Sequence, residues 1–172
     1  MEDSVIHQPA RREHDVRIGN PEDVNENMKI AMMATEENGL INPNPMKLLN
    51  DIWPALHKHQ GIVGIIGKKG EAIEGAILLR VGTMWYSDEL IIEEKAIFIH
   101  PEFRGGKGGR AARLCDFSKS ISDRLGLPLV IGVLSNHRTE AKIRMYRRQF
   151  GEPNGAYWIY NGRTGISEPP ES

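Results

Sequence analysis

Residues 96–113 read AIFIHPEFRGGKGGRAAR, and the fold follows from how this stretch is parsed. Ala96 to Ile99 is a short apolar run with strand character, Pro101 interrupts it, glycines and cations fill 104–110, and Ala111 to Arg113 begin a helical pattern. A strand that passes into a helix through glycines leaves backbone N–H groups unpaired at the helix start. Those groups, with the positive end of the helix dipole, bind anions. Glycine lets the backbone approach a ligand with no Cβ in the way and accepts positive φ. Arg104, Lys107 and Arg110 add positive charge at the same point, so phosphate is the expected guest. A tight turn with no ligand is the other reading of the same glycines.

The common phosphate loops do not fit. The dinucleotide fingerprint G-x-G-x-x-G started at Gly106 would need a glycine at Ala111, and G-x-x-x-x-G-K-[ST] occurs nowhere in the chain. The stretch instead resembles the acetyl-CoA signature of the GNAT superfamily of N-acetyltransferases, in which an apolar strand ending in His-Pro leads into [QR]-x-x-G-x-[GA]. Ile97, Phe98, Ile99, His100 and Pro101 stand at the strand end, and Arg104 and Gly109 match the outer motif positions. Lys107 departs from the pattern: it stands at the first motif glycine, surrounded by Gly105, Gly106 and Gly108.

The remainder of the chain suits one globular domain. At 172 residues it can bury an ordinary core, with 40% apolar and 26% charged residues. The 22 basic and 23 acidic residues leave a net charge of −1, which gives no footprint for nucleic acid or a membrane surface. One cysteine, Cys115, excludes an internal disulfide and suits a reducing compartment, and its place on an apolar helix face reads as a buried structural thiol. No apolar run approaches the ~18 residues of a membrane span, and the N-terminus has no apolar core of a secretory signal. The cytoplasm is the expected compartment.

In chain order, 1–14 is expected to be a flexible N-terminus, 15–162 a single domain and 163–172 a loose tail. Asp15 to Ile18 predicts a short strand, and Asn20-Pro21-Glu22-Asp23 predicts a helix start with Asn as cap and Pro in the first turn. That helix should run to about Glu37. A second, through Met46, Leu49, Ile52 and Trp53, should be interrupted or kinked by Pro54. His57 and His59 lack further ligand types at metal spacing, so no metal is expected. GIVGIIG (61–67) and AIEGAILLRV (72–81) predict a strand pair joined by a turn at Lys68–Glu71, with an extension of the second strand through Trp85 and Tyr86 as the alternative to its ending at Val81. Leu90 to Ile99 predicts a fourth strand. A helix to Leu125, a fifth strand from Leu127 to Leu134, a helix from Thr139 to Gln149 and a closing strand at Ala156–Tyr160 complete the pattern. This α/β order, β-α-α-β-β-β-α-β-α-β, resembles the GNAT order across residues 15–161. The resemblance implies a mixed, mostly antiparallel sheet splayed between strands four and five and flanked by about four helices.

The resemblance further implies acetyl transfer from acetyl-CoA, as cosubstrate, to a primary amine by direct attack in a ternary complex. Backbone groups of Ile97, Phe98 and Ile99 would bind the pantetheine arm. The loop Arg104, Gly105, Gly106, Lys107, Gly108, Gly109 and Arg110 would bind the pyrophosphate. Asn136 would be a pantetheine contact, and Tyr146 the general acid for the leaving thiolate. A phenol with pKa near 10 suits that task. An alkylamine with pKa about 10.4 is mostly protonated at neutral pH, so a base is needed, and the fourth strand offers Glu93 and Glu94. Strict alternation puts Glu93 on the face of Ile97 and Ile99 and Glu94 opposite, and a bulge would swap them; Glu93 is the expected base, with Glu94 or water as the alternatives. Asp88, Glu89, Trp85 and Tyr86 suggest a cationic acceptor, a small molecule or a peptide or protein amine. A homodimer is compatible with the sequence. The competing functional reading is a GNAT-shaped CoA-binding or regulatory protein that has lost turnover, with Lys107 as its sign. A nucleic-acid role rests only on the basic run from Arg138 to Arg148.

Overall fold

The computed structural model describes residues 16–105, 108–136 and 139–162. Five strands form one sheet in chain order: β1 (Arg17–Ile18), β2 (Gly61–Ile66), β3 (Gly75–Thr83), β4 (Leu90–Ile99) and β5 (Leu129–Val130). The first four are antiparallel neighbours, and β5 runs parallel to β4. Among the described residues four α-helices flank the sheet: α1 (Val24–Asn38), α2 (Pro45–Leu56), α3 (Arg110–Leu125) and α4 (Thr139–Phe150). This is the mixed, mostly antiparallel α/β architecture that the element order predicts.

Side-chain alternation divides the core between the two faces of the sheet. Val63, Ile65, Ala76 and Phe98 pack on one face with Ile30 of α1 and Ile52, Ala55 and Leu56 of α2. Ile66, Ile77, Leu79 and Ile92 pack on the other with Leu114, Phe117 and Ile121 of α3. The fully buried Cys115 and Ser118 share that side of α3.

At the first helix the expected cap works differently. Pro21–Asp23 forms a 3-10 turn ahead of α1, and the carboxylate of Asp23 accepts the Asn20 backbone N–H at 2.8 Å. The same carboxylate takes both ends of the Arg17 guanidinium at 2.9 Å, which ties β1 to α1. Asp23 is only 7% exposed, and its hydrogen bond from Arg17 holds its pKa below the usual carboxylate value. A depressed folded pKa contributes stability above the unfolded value and loses it as pH falls through the folded one. Asp23→Asn should therefore destabilise the fold by about 2–3 kcal/mol at neutral pH, somewhat less than the ~3–5 kcal/mol of a fully buried pair. Urea titrations at pH 7 and pH 3 check this: the wild-type advantage should shrink at the lower pH.

Four expectations are corrected. Helix α2 runs through Pro54 to Leu56, capped at its start by Asn44, whose side chain accepts from Met46 and Lys47. Pro54 lies in the last turn, where the missing N–H costs a single bond and the burial of Ala55 and Leu56 holds the backbone. Strand β3 starts at Gly75 and stops at Thr83, short of Trp85 and Tyr86. The predicted β5 of eight residues shrinks to Leu129–Val130, and Ala156–Tyr160 forms no strand. With β5 ending so early, its outer edge offers no ladder for a sixth strand. The 156–160 segment passes near Gly132 instead, with the Tyr157 ring 3.9 Å from where a Cβ on that glycine would stand.

Candidate functional site

The register between β3 and β4 slips once. Leu79 pairs with Glu94 but Leu78 pairs with Ala96, so Lys95 is an extra residue on β4, a bulge. Its effect is visible in the core. Ile92 packs on the α3 side and Phe98 on the α1–α2 side, although an unbroken strand would place residues six apart on one face. Glu94, two residues past Ile92, therefore faces the α3 side, which Ile97 and Ile99 share beyond the bulge. Glu93, expected on that face, points the other way, is half-exposed and pairs with Lys95 at 3.0 Å.

Strands β4 and β5 part immediately afterwards. Their ladder contains only Ile92 with Leu129 and Glu93 with Val130. At the point of divergence the Gly132 N–H turns to the Glu94 carboxylate at 3.4 Å rather than to the β4 backbone. From Glu94 onward, β4 has no strand on the side away from β3. This is the wedge-shaped gap expected between the fourth and fifth strands.

Two cavities open on that gap. The first, of about 390 Å³, lies at the C-terminal end of β4 and is lined by Ile97, Phe98, Ile99, Arg104, Gly105 and the first turn of α3 from Gly109 to Ala112. Lys142 and Met145 of α4 form its far wall. Helix α3 follows Gly109, its N-cap, in the left-handed region (φ +56°); among the described residues no side chain caps its N–H groups, and its first turn holds no acidic residue. Gly105 is also left-handed (φ +70°), so both glycines meet a conformational demand as well as an open approach. The two arginines are committed to the protein. Arg104 donates to the Ile99 carbonyl at 2.8 Å and to Glu37 of α1 at 2.7 Å, and lies over the Phe98 ring; Arg110 donates to Glu74 at 2.9 Å and lies over Phe103. They hold the loop in shape, and each guanidinium keeps further N–H groups for a ligand. Gly108 does not line the cavity, and Gly106 and Lys107 lie outside the described residues.

The second cavity, of about 660 Å³, passes from α1 through the gap to α4. Glu93, Glu94, Lys95, Lys142 and Tyr146 line it, along with Val130 to Leu134 and Tyr157 to Ile159. It meets the first at Ile97 and Lys142. Tyr146 is buried, its ring edge-on to Phe150, and its hydroxyl is shielded from solvent with no hydrogen-bond partner. Burial, and then the Glu94 and Cys115 charges, raise its pKa above the ordinary phenol value, so the hydroxyl keeps its proton. Glu94 is pushed up to about 7, chiefly because the protein strips water from its carboxylate; Glu93 adds to the rise, while the Gly132 N–H and Lys142 oppose it. The Nδ2 of Asn136, between β5 and α4, is likewise buried without a partner. Cys115 is fully buried and its thiol is pushed up to about 12, mainly by desolvation, which makes it a poor nucleophile.

Some site features escaped the sequence. Tyr157, Trp158 and Ile159, expected in a closing strand, wall the second cavity, whereas Trp85, Tyr86, Asp88 and Glu89 line neither cavity. The aromatic cluster Tyr157, Trp158 and Tyr160 is the available signal, and it reads equally as a strand. Among the described residues no three His, Cys, Asp or Glu side chains gather as a metal site, and no helix is long and apolar enough to cross a membrane.

No family model matches the sequence, and no curated protein matches it. Solved structures do. The chain is similar to AAC(6')-Iy in complex with the bisubstrate analogue CoA-S-monomethyl-acetylneamine, at 16% identity, covering 86% of this chain and 97% of that one, with TM-score 0.63. It is similar to a predicted acetyltransferase from Clostridium acetobutylicum with acetyl-CoA, at 13% identity over 84% and 93% of the two chains, TM-score 0.64. A third likeness is to the ribosomal-protein-alanine N-acetyltransferase from Brucella melitensis biovar Abortus 2308, at 12% identity over 85% and 98%, TM-score 0.59.

Proposed function

We propose that this chain, whose fold is that of the GNAT acetyltransferases, is itself an N-acetyltransferase that moves an acetyl group from acetyl-CoA to a primary amine. One observation carries the reading: an uncapped helix N-terminus and a buried, unpartnered phenol open onto cavities that join at the gap between β4 and β5. A helix start without a cap is an anion site waiting for phosphate, and a hydroxyl left unbonded in a buried site is costly unless a ligand completes it. Acetyl-CoA has the matching parts in the matching order, with pyrophosphate at one end and a thioester at the other.

In this reading Gly109 to Ala112 hold the pyrophosphate, the open edge of Ile97 to Ile99 binds the pantetheine amides, and Asn136 supplies a further contact. Glu94 removes a proton from the incoming ammonium and passes it to solvent. The neutral amine attacks the thioester carbonyl carbon, forming a C–N bond. As the C–S bond breaks, Tyr146 gives its proton to the sulfur and recovers one from the acylated nitrogen. The balance is RNH3+ plus acetyl-CoA giving RNHAc, CoA and one proton. No covalent enzyme intermediate is needed, and none of the described groups is activated to form one. The cytoplasm, where acetyl-CoA is made and a lone thiol stays reduced, is the compartment this chemistry suits.

Ala112→Asp tests the cofactor end. A carboxylate in the first turn suits the helix dipole, so the thermal midpoint should hold or rise. The same charge opposes a phosphate a few Å away, and acetyl-CoA affinity by titration calorimetry should fall about tenfold or more. Unchanged affinity would put the pyrophosphate elsewhere. Absence of binding by the wild-type chain would remove the reading altogether, and binding without turnover across an amine panel would replace it with that of a retired CoA-binding protein.

A further inference from the structure

The larger cavity says more about the acceptor than the fold does, given the acetyltransferase reading on which this step rests. Among the described residues its charged lining is Glu93, Glu94, Lys95 and Lys142. Glu93 is neutralised by Lys95 at 3.0 Å, and Glu94 lies in the field of Lys142. Among the described residues that leaves one carboxylate to meet one ammonium and no second anionic group for a second positive charge. Beyond Glu94 the walls are uncharged and mostly apolar: Ile41 and Pro43 on one side, interrupted by the neutral polar groups of Thr35, Asn38 and Asn42, Val133 and Leu134 on another, and the rings of Tyr157 and Trp158 at the mouth. Tyr157 and Trp158 are 81% and 88% exposed, so their ring faces are open to a guest rather than spent on the core. Aromatic faces of this kind gain mainly from stacking against apolar or aromatic bodies. The volume falls within the range of small-molecule sites.

We infer that the acceptor is a small primary monoamine with an aromatic or bulky apolar body, seated against Tyr157 and Trp158 with its nitrogen at Glu94. The segment 156–160 is then the specificity wall of the site, and its failure to join the sheet is what frees the rings for this use. Polyamines and lysine-rich peptides are disfavoured because their additional charges would meet no second free carboxylate among the described lining residues.

The test is a competition of acceptors on the full chain with acetyl-CoA, following free thiol release, after acetyl-CoA binding has been measured by calorimetry. 2-Phenylethylamine and tryptamine should exceed spermidine and putrescine in kcat/KM by about tenfold or more, the usual reach of one well-placed apolar contact set. Trp158→Ala should raise KM for 2-phenylethylamine about tenfold while kcat and acetyl-CoA affinity stay near wild type. Ile41→Glu, at an exposed position on the opposite wall, should shift preference toward spermidine by adding the missing anion. Equal or better turnover of spermidine by the wild type overturns the inference and leaves the acetyltransferase reading intact. So does a Trp158→Ala variant with unchanged KM. Bound acetyl-CoA that no amine of the panel discharges overturns the inference together with the acetyltransferase reading, in favour of a retired CoA-binding protein. Failure to bind acetyl-CoA at all overturns the reading beneath it.

Discussion

Tyr146→Phe should lower kcat by about 10²–10⁴-fold, the usual share of a positioned proton donor, and leave acetyl-CoA binding close to wild type. The substitution removes one oxygen and keeps the ring against Phe150, so packing is preserved. It should not destabilise the free protein. The hydroxyl is buried with no partner, and deleting a desolvated, unpaired group relieves a cost. Stability and activity therefore move independently, and a melting curve beside single-turnover kinetics separates them. If kcat survives, the leaving thiolate is protonated by another group and the phenol serves packing. Loss of both stability and activity would mean that the hydroxyl has a bond in the folded protein that the structure does not contain. The effect should also be larger for acetyl donors with poor leaving groups than for activated thioesters, because only a poor leaving group needs the proton.

The second large effect belongs to Glu94. With its pKa pushed up to about 7, the carboxylate is protonated in mild acid and becomes a base just above neutrality. The wild-type kcat/KM should rise with pH through about 7, and Glu94→Gln should lower it and abolish that limb. A limb that persists in Glu94→Gln but vanishes in Glu93→Gln would make the half-exposed neighbour the base. Stability should change in the opposite sense. A carboxyl whose folded pKa is raised above its unfolded value contributes stability that is complete below the unfolded pKa and is lost as pH rises through the folded one. The wild-type midpoint should thus decline between about pH 4.5 and pH 7, and Glu94→Gln should be the more stable protein at the upper end. A base held at a cost to stability would be lost by selection for stability alone and retained by selection for turnover.

Much of this was readable before any coordinates. The bounds of β4 and the glycine-to-helix transition at Gly109 were legible because each is a local signal: an apolar run between polar turns, and a left-handed cap that glycine accepts. Tyr146 and Lys142 could be placed on one helix from their spacing. The bulge at Lys95 could be raised as a possibility but not located, because an extra residue changes no residue type and is decided by packing on both sides of the sheet. The interruption expected at Pro54 does not occur: propensity assigns a fixed cost to an interior proline, whereas here two buried neighbours outweigh it. Ala156–Tyr160 was misread for a related reason. Its aromatic and β-branched composition is that of a strand, but a strand needs an edge to pair with, and whether β5 offers one is decided at Leu129–Val130, far earlier in the chain.

The extra residue at Lys95 also constrains how this site can change. Which carboxylate looks into the gap is a matter of odd or even count along β4, so no single substitution in that strand moves the acidic position from one face to the other. Only an inserted or deleted residue does. That same event would turn either Ile92 or the trio Ile97, Phe98 and Ile99 out of its layer of the core. The location of the chemistry is thereby locked to the packing of both layers. Drift in the acceptor walls can proceed one residue at a time, while the position of the base stays where the hydrophobic core keeps it.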